Sequence, residues 1–534
     1  MKRNRLLSLG FILGLSVTIL FGQNEIDALR HSQSTITGTA RALGTGGAFS
    51  AVGADMSSAA LNPAGFGLYR SSTFTISPGF HTINNQAQYF DSTLTASDNQ
   101  FNIGNWGMAF HNKNYYDNGR VREENDRGLV SYTFAFGQNQ LENYRRQVNA
   151  SGFNPHSSIS EKWANEANGK FPTELLFDSN EELAFYLLII DTMENRDGAT
   201  YFPAVTNGQV RQTAQMVEDG RRNEWFASLA GNFNNKIFVG GSIGIQSLRY
   251  SQTFDYKEED INNLYEVYDP DPDNGFPLEF PTNEIRYNET FSTRGVGINA
   301  NLGIIVKASD AFRFGLSAQT PTYFGLTDQF NTSLAHNFET DAGTEEFSES
   351  PEDAFRYTYN LTTPFKVTAG AMFLLNKSGF ITADVEMIDY STAKLRSSED
   401  VNSPYYYSFD TENNNINNLY RQAINVRLGG ELRLDIFRLR AGGALYGTPL
   451  STEAQEYLDY SDLSTIEKIT GDRRIFTLGA GVRQPNFYLD VTFINQQQED
   501  KFSPYFYDSP DFFSPTVVNK RITNRIVTSV GFNF

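Results

Sequence analysis

Residues 424–445 read INVRLGGELRLDIFRLRAGGAL, two runs of alternating apolar and polar residues separated by Asp435-Ile436. Alternate side chains of a strand point to opposite faces. Ile424, Val426, Leu428, Leu432 and Leu434 therefore share one face, and Asn425, Arg427, Glu431 and Arg433 the other. Phe437, Leu439, Ala441 and Leu445 continue the apolar set on odd numbers, with Arg438 and Arg440 between them. This switch of parity requires a turn. A two-residue loop at Asp435-Ile436 sets Leu434 opposite Phe437 and Glu431 opposite Arg440, an antiparallel hairpin with one apolar and one charged face.

Working outward, the same alternation recurs at Trp225–Phe233, Ile237–Ile245, Phe312–Ala318, Phe476–Val482, Phe487–Phe493 and Ile526–Phe534. It predicts about fourteen strands, beginning near residues 73, 103, 128, 223, 236, 286, 311, 353, 379, 418, 437, 472, 487 and 521. Short connections fall at Asn234-Asn235, Lys307–Asp310, Asn376–Ser378, Asp435-Ile436 and Gln484–Asn486. The intervening ones, such as 138–222 (the longest), 256–285, 397–417 and 501–520, are long and polar.

The chain has 534 residues, 14% of them aromatic, with 44 Phe and 27 Tyr, yet its mean hydropathy is negative. No stretch after residue 22 holds the ~18 apolar residues of a membrane helix. Residues 1–22 read as a secretory signal peptide, with Lys2, Arg3 and Arg5 ahead of an apolar core from Leu6 to Phe21. The absence of Cys removes disulfides, thiolate metal sites and a lipid anchor. A net charge of −19 argues against a nucleic-acid partner.

Export, an even strand number, short turns at one end and long loops at the other are the pattern of an all-β outer-membrane barrel of the Gram-negative type. A soluble secreted β protein is the alternative. Against it stands the ending VGFNF, whose Phe532 and Phe534 resemble the signal read by the barrel assembly machinery. Closure also removes the free edges that such strands would expose.

Charged residues facing inward imply a wet or plugged lumen. Residues 23–71, ahead of the expected barrel at 72–534, supply a stopper. Ala40–Arg70, ARALGTGGAFSAVGADMSSAALNPAGFGLYR, is rich in small residues, and Pro63 should end any helix running from Met56 to Leu61. Within it, GTGGAFSAVGADMSSAALNPAG resembles the N-terminal hatch of the FadL/TodX family of hydrophobic-compound transporters, including its Asn-Pro-Ala motif at Asn62, Pro63 and Ala64. Gln319–Tyr323 and Thr363–Lys366 are similar to strand segments of Bacteroidetes-type members. The resemblance implies passive transport of hydrophobic small molecules such as long-chain fatty acids, by loop capture, binding in an apolar pocket at the hatch, and release through a local opening. Asn62, Pro63, Ala64 and Gly65 are the expected gate.

Two further stretches are candidates for ligand contact. Leu183–Ile190, LAFYLLII, needs burial despite lying in the longest loop; Leu183, Phe185, Tyr186 and Leu187 either pack a helix over the barrel mouth or offer a greasy landing site. Arg427, Arg433, Arg438 and Arg440 share a face with Glu431 as the only nearby acid. They either balance acids of the lumen and hatch such as Asp55 or form a ladder for a fatty-acid carboxylate.

Other chemistry is weakly signalled. Gly240–Gly244 fits G-x-S-x-G around Ser242 but lies inside a strand pattern instead of at a strand-to-helix turn; small residues packed near the hatch explain it better. His31, His81, His111, His156 and His336 form no ligand pair, so neither a metal, haem nor any other cofactor is expected, and His156-Ser157 reads as loop. Asp269–Gly275 alternates carboxylates as calcium sites do, yet its Gly comes one place late for an EF-hand. The competing reading for the chain is a surface carrier barrel of the type IX secretion kind, with an outer-membrane hydrolase third.

Overall fold

The structure is a computed structural model. It describes residues 25–117, 122–124, 127–195, 198–206, 208–265, 281–340, 343–351, 354–404, 406–451, 468–469, 473–505 and 515–534. The signal-peptide expectation and the Asp269–Gly275 calcium reading lie outside the described residues.

Fourteen antiparallel strands close into a barrel. They are β1 (Thr73–Tyr89), β2 (Ser92–Lys113), β3 (Leu129–Asn143), β4 (Val210–Phe233), β5 (Ile237–Glu259), β6 (Thr282–Lys307), β7 (Phe312–Gln319, resuming as Tyr323–Thr340), β8 (Phe355–Thr362 and Lys366–Leu374), β9 (Gly379–Asp389 and Lys394–Ser397), β10 (Gln422–Leu434), β11 (Phe437–Tyr446), β12 (Arg473–Arg483), β13 (Phe487–Phe502) and β14 (Val517–Asn533). Each pairs with the next, and β14 pairs back onto β1 from Thr73↔Asn533 to Gln88↔Val518, so the sheet has no free edge.

The hairpin that opened the sequence reading has the expected register, with Leu434↔Phe437 and Glu431↔Arg440. Asp435 takes the left-handed conformation the tight turn needs (φ 54°), as do Asn234 and Asn235 in the β4–β5 turn (φ 53° and 54°). The strands run further than the alternation alone marks. β2 starts at Ser92 and β4 at Val210, because above the apolar band both carry polar outward residues that erase the pattern. The first connection at the long-loop end is accordingly only Phe90-Asp91.

Outward residues form an apolar belt, including Trp225, Leu229, Ile243, Ile245, Val296, Ile298, Leu302 and Leu316, each at least half exposed. A closed barrel leaves no unpaired backbone group to face lipid, and the belt provides the surface that lipid requires. The barrel is therefore an outer-membrane one, with the short turns at the periplasmic end.

Loop residues between β3 and β4 are structured. Arg146–Asn154 extends the wall beside β4, followed by helices Ile159–Ala167 and Asn180–Tyr186 and a small hairpin, Ile190–Asn195 with Gly198–Pro203. Trp163, Leu183, Leu187, Ile189 and Ile190 are buried with Phe254, Tyr256, Tyr287 and Leu334 of the wall, so this cap closes over the mouth.

Candidate functional site: the plug, the lumen and a seam in the wall

Residues 25–71 precede β1 and lie inside the barrel. They form α1 (Glu25–Ser32), α2 (Ala40–Gly44), α3 (Ser58–Leu61) and a 3-10 turn, Pro63–Leu68. Small residues make this compactness possible: Ala40, Ala42, Ala48, Ala51 and Ala64 are fully buried. α3 ends at Leu61, because Asn62 before the proline is extended (φ −160°, ψ 103°).

Asn62 ties three backbones together. Its amide donates to the carbonyl of Ser50 in the plug at 2.8 Å and reaches the carbonyls of Ile304 on β6 (3.3 Å) and Leu316 on β7 (3.5 Å). Its oxygen accepts from Ala64 N at 3.1 Å, capping the 3-10 turn. Pro63 and Ala64 press on the wall at Gly240, where a Cβ would lie 2.5 Å from the Pro63 carbonyl. Gly240 is thus where the plug lands on this strand. Ser242 Oγ accepts a hydrogen bond from Ser228 Oγ at 2.8 Å, within an uninterrupted strand.

Wall groups hold the rest of the plug. Asp384 accepts from Phe49 N (2.9 Å), Ser50 N (2.9 Å) and Ser50 Oγ (2.7 Å). Ser529 accepts from Ala40 N at 2.7 Å, and Thr492 donates to Ala40 O at 2.6 Å. Asp55 stays within the plug, accepting from Thr39 and Ser57.

Of the four expected arginines, three point inward and are occupied by protein acids. Arg427 pairs with Glu386 (2.7 Å), and Arg440 with both Glu431 and Asp490 (2.7 Å each). Arg438 reaches Glu431 at 4.0 Å and donates to the Asp435 carbonyl. Arg433, directly opposite Arg438 beside the Asp435-Ile436 turn, is exposed and has no ion pair among the described residues. Glu431 is not the only acid near this face, since Glu386 and Asp490 come from neighbouring strands. Missed in the sequence was Arg41 of α2, whose Nε lies 3.3 Å from Glu431 and joins plug to wall.

In the cap, Leu183 and Leu187 are buried, Phe185 is partly buried and Tyr186 is exposed. His336 Nδ1 donates to the Leu187 carbonyl at 2.8 Å, fixing this turn to β7. Phe532 and Phe534 face outward at the end of the chain, Phe532 beside Phe487 and Phe534 beside Phe110.

The wall has a seam. The β2–β3 ladder runs from Lys113↔Ser131 only to Asn105↔Asn139. There β2 bulges at Gly104 against β1, and β3 bulges at Leu141 against β4. Two bulges back to back bend the strands apart. Beyond them, side chains replace the ladder: Asn102 bonds Gln140, Asn143 Nδ2 donates to Gln100 Oε1 at 2.5 Å, and Arg145 pairs with Asp98. Phe101 and Ile103 line the outer lip, 68% and 47% exposed.

Three cavities lie behind the seam and around the plug linker 33–38. One of about 40 Å³ touches Asn102, Gly104, Gln140 and Glu142. It shares Thr35, His81 and Arg525 with one of about 120 Å³ that is also lined by Leu29, Ile83, Tyr144, Arg473 and Arg521. A third, of about 60 Å³, lies against Ala59–Leu61 and Lys366. The expected apolar pocket at the plug is therefore mixed in character. Arg525 Nε and Nη2 have no hydrogen-bond partner among the described residues. An aromatic and aliphatic cluster lies around α1, where Ala28 and Leu29 pack with Tyr250, Phe291, Phe324, Leu326, Tyr359 and Phe409.

No family model and no curated protein matches the sequence. Among solved structures, a FadL homologue from Pseudomonas aeruginosa aligns over 94% of this chain and 99% of its own at a TM-score of 0.51 and 13% identity. The Pseudomonas putida toluene transporter TodX aligns over 94% and 100% at 0.47 and 10%. The Ralstonia pickettii toluene transporter TbuX aligns over 94% and 99% at 0.45 and 13%. The Bacteroidetes-type assignment gains no support from these matches. The chain has the fold of the FadL homologue, a closed fourteen-stranded outer-membrane barrel with a helical segment ahead of its first strand.

Proposed function

We propose that this barrel is a passive channel for hydrophobic small molecules, long-chain fatty acids among them, which enter at the cap and leave sideways through the β2–β3 seam. The observation that carries this reading is the seam itself: a wall opened by two bulges, bridged by side chains, apolar outside at Phe101 and Ile103, with cavities directly behind it. The resemblance of the plug segment and the fold of the FadL homologue support it.

Passage requires the plug to move. The cavity of about 120 Å³ behind the seam is below the roughly 300 Å³ at which small-molecule pockets begin. α1 fills the aromatic part of the lumen, so its withdrawal would free apolar surface for a ligand chain. Each buried methylene contributes about 0.8 kcal/mol, and a long acyl chain on the order of 10 kcal/mol as an upper bound. A site that strong would retain its ligand unless plug movement weakened it. The Asn62-Pro63 segment is the proposed latch. Arg525, which lines the cavity and has no ion pair among the described residues, is better placed for a carboxylate than Arg427, Arg438 and Arg440, which are held by protein acids. The exposed Phe177 and Tyr186 of the cap are the proposed capture surface.

Nothing in the arrangement around Ser242 supports catalysis, and the proposed role is non-enzymatic. Uptake of labelled oleate by cells lacking their own fatty-acid channel, with and without this protein, tests the reading. Faster uptake supports it; no uptake with a folded barrel, together with a co-purifying protein and no extractable lipid, would favour a carrier role.

A further inference from the structure

Three arginines stand side by side on the outer surface of the wall. Arg249 of β5 is directly opposite Arg221 of β4 on one side and Arg294 of β6 on the other. All three are exposed and share the outward parity of the apolar belt. Like charges directly opposite one another in a sheet are destabilising. This chain carries a net charge of −19, so carboxylates to separate them are abundant, and none is used. No ion pair is found for any of the three among the described residues. The diagonal carboxylate Asp219 lies 3.8 Å from Arg145 instead.

Their height on the barrel gives the row meaning. Below it on the same strands come Trp225 and Leu229, Ile245 and Ile243, and Val296 and Ile298, the upper part of the belt. The row therefore marks the boundary between acyl chains and head groups in the outer leaflet, on the long-loop side. Beyond it, on the same face, lies an open groove of about 550 Å³ whose lining includes Gln215, Asp255, Lys257, Arg286, Asn288 and Glu349.

We propose that Arg221, Arg249 and Arg294 bind the phosphate groups of a phosphorylated glycolipid of the outer leaflet. Guanidinium forks match phosphate oxygens in pairs, and three in a row meet a head group that carries more than one phosphate. The acyl chains then lie along the belt below and the sugars along the groove above. The bound lipid removes the mutual repulsion of the row. This goes beyond the channel reading, since the row faces lipid instead of the lumen.

The test uses the purified full-length barrel in detergent and the variant Arg221→Gln/Arg249→Gln/Arg294→Gln, with binding followed by native mass spectrometry. Diphosphoryl lipid A, its dephosphorylated form and inorganic phosphate are the probes. Wild type is expected to bind diphosphoryl lipid A at least about tenfold more tightly than the variant does, in line with loss of charge-assisted bonds. The dephosphorylated lipid should bind both proteins equally weakly, and millimolar inorganic phosphate should not compete. Equal binding of diphosphoryl lipid A by the two proteins, or indifference of wild type to the phosphates, overturns the proposal. Full competition by inorganic phosphate replaces the lipid with a free anion and overturns it as well. The Arg→Lys triple variant, which keeps the charge, guards against a folding artefact: it should retain more binding than the Gln variant, and an equal loss in both counts against the site.

Discussion

Asn105 and Asn139 are the last residues of β2 and β3 to pair through their backbones, and the Asn105 amide also donates to the Asn139 side-chain oxygen at 2.6 Å. Above this pair the strands separate and only side chains cross. A ladder that ends partway up a barrel wall creates a local weak point, since each side-chain bridge there contributes about 1 kcal/mol and forms or breaks without moving a strand. Hydrogen exchange of backbone amides at Gln100–Ile103 and Gln140–Asn143 should accordingly be faster than at Gly107 and Gly137, where the ladder is intact.

Asn62 bonds the plug to itself and to two wall strands, so Asn62→Ala leaves the Ser50 carbonyl short of a donor and uncaps the 3-10 turn. The expected cost is about 1–3 kcal/mol, borne by the plug and not by the barrel. Limited proteolysis should cut the plug faster while the heat-modifiable mobility of the barrel is unchanged. Oleate uptake should change in the same variant, and unchanged uptake would count against the latch.

Arg440 is buried between Glu431 and Asp490. Removing one member of a buried ion cluster strands the others, at a cost of about 3–5 kcal/mol. Arg440→Ala should therefore lower the unfolding midpoint strongly. Arg525→Gln, which breaks no ion pair found among the described residues, should weaken oleate binding with a smaller change in that midpoint than Arg440→Ala. The opposite pattern would return the carboxylate site to the β10–β11 hairpin.

Two of the buried titratable groups of α1, Glu25 and His31, have opposing effects. Burial, with Glu412 and Asp27 nearby, raises the Glu25 carboxyl from 4.5 to about 7. Burial, with Arg30 and Arg222 nearby, lowers His31 well below 6.5. Docked α1 thus keeps Glu25 protonated and His31 neutral. Relative to the undocked helix, Glu25 weakens docking as pH rises from 4.5 to about 7, and His31 weakens it as pH falls below 6.5, each by about 1.4 kcal/mol per pH unit. The two slopes cancel between pH 4.5 and 6.5. Glu25→Gln should therefore make docking weaken on acidification below 6.5, and His31→Gln should make it strengthen on acidification below 7. A spin label on α1 reads both.

Much of the barrel was legible because lipid on one side and a polar lumen on the other enforce strict alternation, as in Ile424–Leu445. Legibility stopped where that contrast stops. Ser92–Asn102 and Val210–Arg222 rise above the belt, where most outward residues are polar, so the alternation marks their starts too late. The plug announced itself through small residues and Asn62-Pro63, but its bond to the wall through Arg41 and Glu431 joins residues 390 positions apart, beyond any local pattern. The seam was hidden for the same reason. Gly104 and Leu141 look like ordinary strand residues, and only the mismatch of registers across three strands turns them into bulges. Arg433 showed the limit of parity: it shares a face with Arg438 directly opposite, yet Arg438 is buried and Arg433 is exposed.

The most direct measurement of lateral release uses the absence of native Cys. Asn102→Cys/Gln140→Cys places two thiols where the native side chains already touch across the seam. With the disulfide formed, oleate uptake should fall to the level of cells without the protein, and reduction should restore it. Uptake that proceeds equally with the seam locked would contradict release through the wall.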